Sequence, residues 1–405
     1  MKNLIVGQSG GPTAVINASL AGVIDNAIKS PEIGEVFGAV NGIEGIINDN
    51  LISLNHFKKE NIELLKQTPS SYLGSCRKKL PEYEDDTSLY EKIFAQFEKY
   101  NIGYFLYIGG NDSMDTVKKL SSYANAYNID IKIIGVPKTI DNDLVLTDHT
   151  PGFGSAAKFI VNSIRQLYLD TSVYSMKSVI VLEIMGRNAG WLTAAASLAN
   201  SDDLNPVDII LLPESVFDPD AFLQKLKEVM EKKNTTIIAV SEGIKDREGR
   251  YIGEGLSLRA TKEDGFNHAI LGGVGKIIET LISKNLGVKT RSIELSTLQR
   301  CFSISSSKTD IDEAFLAGFF AVDMAKAGKT AVMAGFLRKS ENPYEMEIKD
   351  FPIEKVANFE KPIPKNMISP DGLNVTRDFI DYAKPLISGE MPTIYKDGLI
   401  QFEIR

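Results

Sequence analysis

The segment 138–143 reads KTIDND and so places a lysine, a threonine and two aspartates within six residues. Carboxylates can accept a proton or bind a divalent cation, and a lysine can neutralise an anion such as a phosphate. The segment follows an apolar run at residues 131–136, which predicts a buried strand. In open α/β sheets, ligands bind at the carboxyl ends of the strands. Taken alone, the segment is compatible with an anion or metal site and also with a charged surface turn.

Two other strand-like runs end in glycine-rich turns that lead into a helical pattern. The run 4–6 is followed by GQSGGPT, and the run 104–108 is followed by GGNDS. In such turns the backbone N–H groups can approach a phosphate at the positive end of a helix. The first turn has neither the Walker nor the Gly-x-Gly-x-x-Gly pattern, and Asp112 and Ser113 could simply cap a helix. Two such turns in one sheet favour a shared anion site.

Polar residues follow further strand-like runs. Residues 73–79 read LGSCRKK, where Arg77 could contact a second phosphate or lie in a solvated basic turn. Residues 185–191 read MGRNAGW after a strand-like run, and Ser-Glu-Gly follows the run 236–240. These polar strand ends fall on the same presumptive edge of a sheet.

The alternation of strand and helix along the chain predicts an α/β fold with two doubly wound, mostly parallel, Rossmann-like domains. Later in the chain, the stretch 290–300 could place Arg291 on one face of a strand and Arg300 in the turn after it. A final strand is predicted at residues 330–336. Beyond residue 339 the chain is rich in Pro, Asn and Lys, which predicts an irregular C-terminal wrap.

The composition is that of a globular protein with a negative net charge. The chain has 405 residues, of which 43% are hydrophobic, and a net charge of −8. Two domains are expected because single cores stop growing beyond about 250–300 residues. The charge argues against general binding to nucleic acid or a membrane, although a local cationic pocket can still receive an anionic substrate.

Only two cysteines are present, Cys76 and Cys301, and they do not suggest a disulfide framework. We therefore expect a reducing, cytoplasmic location. The run 4–6 is too short for a signal-peptide core, and no segment approaches the roughly 18 apolar residues of a membrane helix. The three histidines, whose spacing indicates structural or surface roles rather than metal binding, are His56, His149 and His268.

Taken together, the motifs resemble those of the phosphofructokinase family and, within it, those of the pyrophosphate-dependent branch. Each motif is weak alone, but their order and spacing along the chain make the set specific. The matching segments are 9–11 (SGG), 109–113 (GGNDS), 139–143 (TIDND), 185–187 (MGR) and 298–300 (LQR).

The resemblance implies two α/β domains with the active site in the cleft between them and a chain that crosses back to the first domain near its end. Residues 1–152 with about 300–355 would bind the phosphoryl donor and Mg²⁺. Residues 153–299 would bind fructose 6-phosphate, and residues 356–405 would form a C-terminal wrap or an interface segment.

The reaction implied is reversible transfer of a phosphoryl group from pyrophosphate to the 1-hydroxyl of fructose 6-phosphate. Asp141 would be the general base, and Thr139 would contact the transferred group, with Lys138 and Arg187 completing the catalytic set. Asp143 and Asn111 would bind Mg²⁺. The family has an aspartate where this chain has Asn111, which brings a carbonyl oxygen but no charge.

The sugar phosphate would be bound by residues from both domains, and arginines suit a phosphate dianion because their planar fork donates two hydrogen bonds at once. In the family, one of the arginines near the 6-phosphate comes from a neighbouring subunit, so a homodimer or homotetramer is expected. Ser178 stands where the family has another such arginine, and Thr297 where its ATP-dependent members have a histidine. The implied sugar-binding residues are Thr139, Ile140, Asp141, Met185, Gly186, Arg187, Glu242, Arg291, Thr297 and Arg300.

Two positions bear on the choice of donor. ATP-dependent family members have glycine at the positions of Asp112 and Lys138, which leaves room for a nucleotide. Here Asp112 would repel the α-phosphate of ATP, and Lys138 can bind pyrophosphate. A charge contact at 4 Å is worth about 1–4 kcal/mol, which is enough for about tenfold discrimination. The implied donor-binding residues are Gly10, Gly11, Arg77, Asp112, Ser113 and Lys138.

Three alternative functions fit these residues less well. An ATP-dependent 6-phosphofructokinase is disfavoured by Asp112 and Lys138. A non-catalytic sugar-phosphate sensor would keep the arginines but lose the base, whereas Asp141 is present. A dinucleotide-dependent dehydrogenase would need the Gly-x-Gly-x-x-Gly fingerprint, which the first turn lacks.

Overall fold

The computed structural model describes residues 1–253 and 273–405. His268, for which the sequence predicts no metal role, lies outside the described residues. In these two ranges the strands, in chain order, are β1 (Lys2–Gln8), β2 (Ile33–Ala39), β3 (Leu51–Ser53), β4 (Ile102–Gly109), β5 (Lys132–Pro137), β6 (Ser178–Ile184), β7 (Val207–Leu211), β8 (Thr235–Ser241), β9 (Lys289–Glu294), β10 (Val332–Glu341), β11 (Tyr344–Pro352), β12 (Tyr395–Lys396) and β13 (Leu399–Ile400).

Helices cover both faces of the sheets. In the same ranges they are α1 (Ile16–Lys29), α2 (Gly42–Ile47), α3 (Lys59–Gln67), α4 (Ser88–Lys99), α5 (Asn111–Ala126), α6 (Phe153–Thr171), α7 (Trp191–Ala194), α8 (Pro219–Lys232), α9 (Val274–Leu286), α10 (Leu298–Cys301), α11 (Lys308–Lys326) and α12 (Arg377–Ala383). Short 3₁₀ turns occur at Ala195–Ala199, Ser303–Ser305, Ile353–Lys355, Lys365–Met367 and Lys384–Ile387.

The strands form two main sheets, and the predicted mostly parallel α/β fold is confirmed. The larger sheet has the order β11-β10-β5-β4-β1-β2-β3, with antiparallel pairs only at its two edges. The smaller sheet, β7-β8-β6-β9, is parallel throughout. The central strands are buried on both faces, as continuous apolar runs in parallel sheets require.

The chain returns to the larger sheet after it has built the smaller one. β10 pairs with β5 in parallel, and α11 packs along α1. Glycines permit this close approach, because a Cβ at Gly22 would lie 1.9 Å from the carbonyl oxygen of Phe315, and a Cβ at Gly318 would lie 1.9 Å from that of Ser19. This return agrees with the implied crossing, while the domain boundaries near residues 152, 299 and 355 stay predictions.

The prediction of an irregular chain beyond residue 339 was wrong for its first part. β10 extends to Glu341, and β11 follows as an antiparallel edge strand. The sequence YEMEIKDFP alternates polar and apolar residues, and only every second side chain turns inward. A half-exposed edge strand has no continuous apolar run, so a search for such runs misses it.

Strand register brings together the loops that carry the predicted site residues. Gln8 at the end of β1 lies opposite Ile108 of β4, and Gly109 lies opposite Pro137 of β5. In the smaller sheet, Ile184 lies opposite Ser241. The loops that follow these strands therefore share one edge of their sheet.

Candidate active site

Two adjoining cavities lie where the strand-end loops meet, with volumes of about 310 Å³ and about 560 Å³. We call the smaller one the sugar-side compartment and the larger one the donor-side compartment, after the predicted residues that line them. The residues that line both compartments are Gly11, Arg77, Lys138, Thr139, Asp141, Asp143 and Glu360. This set is called the shared wall below.

Lys138 is one of two cations in the shared wall, and it is only 3% exposed. Its Nζ donates a hydrogen bond to the carbonyl oxygen of Gly11 at 2.7 Å. Burial lowers the pKa of Lys138 to about 8, although the nearby carboxylates of Asp141 and Asp143 oppose the shift. Gly10 next to this contact has φ +76°, a conformation that glycine adopts without strain. The first glycine-rich turn thus holds the lysine in place.

Asp141 is anchored by its own loop. The Thr139 hydroxyl lies 3.2 Å from Asp141 Oδ2, and the backbone N–H of Asp141 donates to Thr139 Oγ1 at 3.1 Å. Burial raises the pKa of Asp141, while Thr139, Lys138 and Arg187 partly offset the shift by favouring the charged form. A carboxylate with a raised pKa is a stronger base than an exposed aspartate.

Asp143 faces Asp141 and Glu360 across the shared wall. Burial raises the pKa of Asp143 to about 7, and the charges of Asp141 and Glu360 add to the shift. Asp141 and Asp143 are half-buried in this wall, and Glu360 is exposed at it. Their negative charges favour a nearby cation, and carboxylate oxygens are ligands that Mg²⁺ accepts. The residues present therefore fit the implied metal.

Asn111, the second predicted metal ligand, already uses both atoms of its side-chain amide in hydrogen bonds. Asn111 Oδ1 accepts the backbone N–H of Asn358 at 2.6 Å, and Asn111 Nδ2 donates to the carbonyl oxygen of Phe359 at 2.8 Å. Asn111 thus holds the segment 358–359. Within residues 1–253 and 273–405, no group of three or more His, Cys, Asp or Glu side chains is close enough to hold an ion unaided. Mg²⁺ commonly keeps waters and substrate phosphate oxygens as ligands, so it needs no such protein cage.

The donor-side compartment is lined by all six predicted donor-binding residues. Asp112 and Ser113 lie in the first turn of α5, whose free N–H groups favour an anion. Lys79 Nζ pairs with Asp112 Oδ1 at 3.2 Å. Ser75 Oγ donates to the carbonyl oxygen of Gly10 at 2.6 Å, which fixes the segment that carries Arg77 against the first glycine-rich turn.

The sugar-side compartment joins the two sheets. Met185, Arg187 and Glu242 come from the ends of β6 and β8. The Gly186 N–H donates to Glu242 Oε1 at 3.3 Å, and burial raises the pKa of Glu242 to about 7. Ile140 also lines this compartment.

Arg300 enters the sugar-side compartment beside the first glycine-rich turn. A Cβ at Gly11 would lie 3.3 Å from Arg300 Nη1, so the small residue allows the guanidinium to approach the loop. Arg300 Nε is buried and has no hydrogen-bond partner among the described residues. An uncommitted buried donor suits an anionic ligand.

Three predicted sugar-binding residues, Gly186, Arg291 and Thr297, do not line this cleft. Arg291 on β9 lines a separate cavity of about 130 Å³, which it shares with Tyr174, Ser178 and Lys289. Thr297 precedes α10 and lines neither compartment. Their predicted contacts with the sugar phosphate stay predictions.

Sequence reasoning missed Glu360 and Asn188. Asn188 Nδ2 donates to Glu360 Oε1 at 3.1 Å, and the Lys361 N–H donates to the carbonyl oxygen of Asp143 at 2.7 Å. Glu360 lies in irregular chain without a recognisable motif. Asn188 adjoins the quoted Met-Gly-Arg segment, so a wider reading of that turn could have included it.

Known proteins resemble this chain in sequence and in fold. The family model described as "Phosphofructokinase" matches residues 3–325. A Methylococcus capsulatus protein named pyrophosphate--fructose 6-phosphate 1-phosphotransferase is 41% identical over 401 residues, covering 98% of this chain and 94% of its own length. A Xanthomonas campestris protein of the same name is also 41% identical, over 99% of this chain and 95% of its own.

A solved structure of the Nitrosospira multiformis pyrophosphate-dependent phosphofructokinase superposes with a TM-score of 0.90. It is 38% identical, and the alignment covers 99% of this chain and 95% of that one. Both the sequence and the fold lead to the same conclusion. This chain belongs to the phosphofructokinase family.

Proposed function

We propose that the protein reversibly transfers a phosphoryl group from pyrophosphate to the 1-hydroxyl of fructose 6-phosphate, giving fructose 1,6-bisphosphate and phosphate. The observation that carries the proposal is the shared wall, in which Lys138, Thr139 and Asp141 face both compartments. A phosphoryl group that is transferred between two bound ligands must pass residues that contact both of them. Full-length relatives that carry the corresponding name support the same reaction.

In the forward direction, Asp141 accepts the proton of the 1-hydroxyl while that oxygen forms a bond to a phosphorus of pyrophosphate. The bridging P–O bond breaks, and phosphate leaves. In reverse, protonated Asp141 returns its proton to the sugar oxygen. The raised pKa of Asp141 suits both directions, because the carboxyl must gain and lose a proton in each cycle.

The surrounding side chains bind and neutralise charge. Lys138 contacts the donor from the shared wall, and Arg187 neutralises phosphate charge from the sugar side. Asp143 and Glu360 would hold Mg²⁺, and Asn111 is a further predicted ligand. When bound, the cation would offset part of the charge of pyrophosphate. Phosphoryl transfer depends more on positioning and electrostatics than on covalent help from the protein, and this cleft supplies both.

Pyrophosphate is the donor that the compartment fits best. Asp112 places a carboxylate at the start of α5, where it would repel the α-phosphate of a nucleotide. Its partner Lys79 lines the same compartment. Lys138 compensates for the binding energy that a nucleoside would otherwise contribute.

The sugar site is completed, in this proposal, by Arg291 of a neighbouring copy in a homodimer or homotetramer. Arg291 lies outside the cleft of its own chain, and the nearby side chains of Val173, Tyr174 and Met176 are 73%, 60% and 55% exposed. Exposed apolar side chains of this kind are often covered in an assembly.

A cytoplasmic location is part of the proposal. Cys76 and Cys301 are both free thiols, as expected of a reducing compartment. No helix in the described ranges is long and apolar enough to span a membrane.

The decisive experiment is a parallel assay of the purified protein with pyrophosphate and with ATP, each with Mg²⁺ and fructose 6-phosphate. We expect turnover with pyrophosphate and little with ATP, and fructose 1,6-bisphosphate plus phosphate should return pyrophosphate. Equal or faster turnover with ATP would overturn the donor assignment. Absence of turnover with either donor would overturn the proposed function.

A further inference from the structure

The turn that carries Asp141 is held by a hydrogen bond to a residue of the C-terminal segment, on the side away from the two compartments. Asn142 lies between Asp141 and Asp143, is fully buried and has φ +55°. This left-handed conformation is uncommon for residues other than glycine, and Asn tolerates it better than most. Such a turn needs outside contacts to hold one geometry.

One of those contacts comes from α12. Asn142 Nδ2 donates a hydrogen bond to the Tyr382 hydroxyl at 2.9 Å, and that hydroxyl donates to the carbonyl oxygen of Asp148 at 2.7 Å. The amide oxygen of Asn142 is buried and has no partner in the described part of the chain. Among the described residues, the hydroxyl of Tyr382 is therefore the hydrogen-bond partner of the Asn142 side chain.

Tyr382 is itself held firmly. Its ring packs at 5.3 Å from the ring of Trp191 and at 4.7 Å from the guanidinium carbon of Arg338. Arg338 Nη2 donates both to the backbone carbonyl of Tyr382 at 3.0 Å and to Asp148 Oδ2 at 2.9 Å. A rigid anchor of this kind can transmit position to the turn, because packed side chains with fixed rotamers do not drift.

We propose that Tyr382 is a positioning residue for phosphoryl transfer, which aligns Asp141 through its hydrogen bond to Asn142. This inference rests on the proposed function, because it assumes that Asp141 is the base. Tyr382 lies beyond residues 3–325, where the family model ends, and it lines neither compartment. Its effect is therefore on alignment and not on substrate contact.

Tyr344 provides a matched control. Its ring packs on the same guanidinium, at 5.1 Å, and its hydroxyl donates to Glu313 Oε1 at 2.7 Å. The recorded hydrogen bond of this hydroxyl does not involve the 138–143 turn. Tyr344→Phe therefore removes a comparable hydroxyl from the same cluster without touching Asn142.

The test compares Tyr382→Phe with Tyr344→Phe in melting temperature, kcat, and KM for pyrophosphate and fructose 6-phosphate. We expect Tyr382→Phe to lower kcat about tenfold and leave both KM values within about twofold, because the loss is one of alignment. Tyr344→Phe should keep kcat within about twofold even if it lowers the melting temperature equally. Equal loss of kcat in the two variants, or a change confined to KM, would overturn the proposal.

A second measurement separates this inference from the proposed function. In the Asp141→Asn background, Tyr382→Phe should cause no further loss of kcat, because its effect passes through the carboxylate. A full additional tenfold loss would show an independent role and overturn the proposal. Near-normal turnover of Asp141→Asn alone would instead refute the base assignment.

If Tyr382→Phe fails to fold, Asn142→Gly tests the same hydrogen bond from the other side. Glycine accepts φ +55° but lacks the amide, so the expected result is again a lower kcat with unchanged KM values. Unchanged kcat in Asn142→Gly would overturn the proposal.

Discussion

The donor-side and sugar-side compartments share a wall but are assembled in different ways. The donor-side compartment is built from loops at one edge of the larger sheet, the start of α5 and the segments 77–79 and 358–360. The sugar-side compartment spans both sheets, and Arg291 lies outside it in a cavity of its own. Hence the donor-side compartment is largely the product of one sheet, whereas the sugar-side compartment depends on how separate segments of the chain pack together.

This difference has a physical origin. Parallel strands in register bring their carboxyl ends to one edge, so β1, β4 and β5 place their loops side by side. No such register relates the larger sheet to the smaller one. Contacts such as Gly11 beside Arg300 and Asn188 to Glu360 make that connection instead.

The largest expected loss of activity comes from a substitution of Asp141, which lines both compartments. Asp141→Asn keeps the shape of the side chain but removes the base, so kcat should fall about 10²–10⁴-fold. Because the variant leaves both compartments intact, KM for each substrate should change little. Steady-state kinetics in the forward assay, with a melting curve as the check on folding, would test this. Near-normal turnover of a folded variant would show that Asp141 is not the base.

Lys138→Met should break the donor side selectively. Loss of a charge contact worth about 1–4 kcal/mol should lower kcat/KM for pyrophosphate at least about tenfold, with binding of fructose 6-phosphate much less affected. The comparison is the affinity for fructose 6-phosphate of the variant and of the unmodified protein, measured by titration in the absence of pyrophosphate. Equal losses for the two substrates would contradict a donor-specific role.

Arg291→Ala should break the sugar side selectively. Loss of a charge-assisted hydrogen bond of about 1.5–3 kcal/mol should raise KM for fructose 6-phosphate about tenfold or more. KM for pyrophosphate should stay unchanged. Lys289→Ala is the control, because Lys289 lies on the same strand and lines the same cavity.

Mixing experiments would show whether Arg291 acts in a neighbouring subunit. Arg291→Ala and Asp141→Asn chains, co-assembled after mixing, should recover part of the activity that each lacks alone. Failure of proven mixed oligomers to recover activity would argue that Arg291 serves no neighbouring cleft.

Lys138 should make the use of pyrophosphate depend on pH. The pKa of Lys138 is lowered to about 8, so its charge is present below that pH and is lost above it. In the free enzyme, kcat/KM for pyrophosphate should therefore decline above about pH 8. The Lys138→Met variant should lack this limb. A limb that persists in the variant would belong to another group.

The smallest expected effect is at the rim of the donor side. Asp112→Gly removes the carboxylate that opposes a nucleotide, and ATP turnover should rise from its low baseline by about tenfold, the scale of one charge contact. Pyrophosphate turnover should change less. A parallel assay with both donors measures the ratio, and an unchanged ratio would mean that another feature excludes ATP.

The strand-end motifs made much of the fold and the donor site predictable. A short apolar run followed by glycines and polar residues specifies a strand, a turn and a helix start through local preferences alone, as at residues 4–13 and 104–113. The mostly parallel sheets follow from the same alternation. Gly10, Gly11, Asp112, Ser113 and Lys138 line one compartment because they follow strands that are in register, whereas Arg77 is brought there by the contact of Ser75 with Gly10.

The positions of Glu360 and Tyr382 next to the predicted site could not be predicted from local sequence patterns. Each approaches the 138–143 loop from a C-terminal segment more than 200 residues later in the chain, and neither lies in a pattern with strand or helix periodicity that points to a site. β11 was missed for a related reason, since its alternating residues form no apolar run.

The sequence by itself determined the chemistry available at each strand end: a lysine, a threonine and two aspartates after β5, and glycines after β1 and β4. Local backbone preferences and hydrophobic periodicity suffice for that. Only the tertiary structure decided that Glu360 joins the shared wall, that Asn111 holds the segment 358–359, and that Arg291 lies apart from its own cleft. Those outcomes depend on packing between distant segments, which no local pattern records.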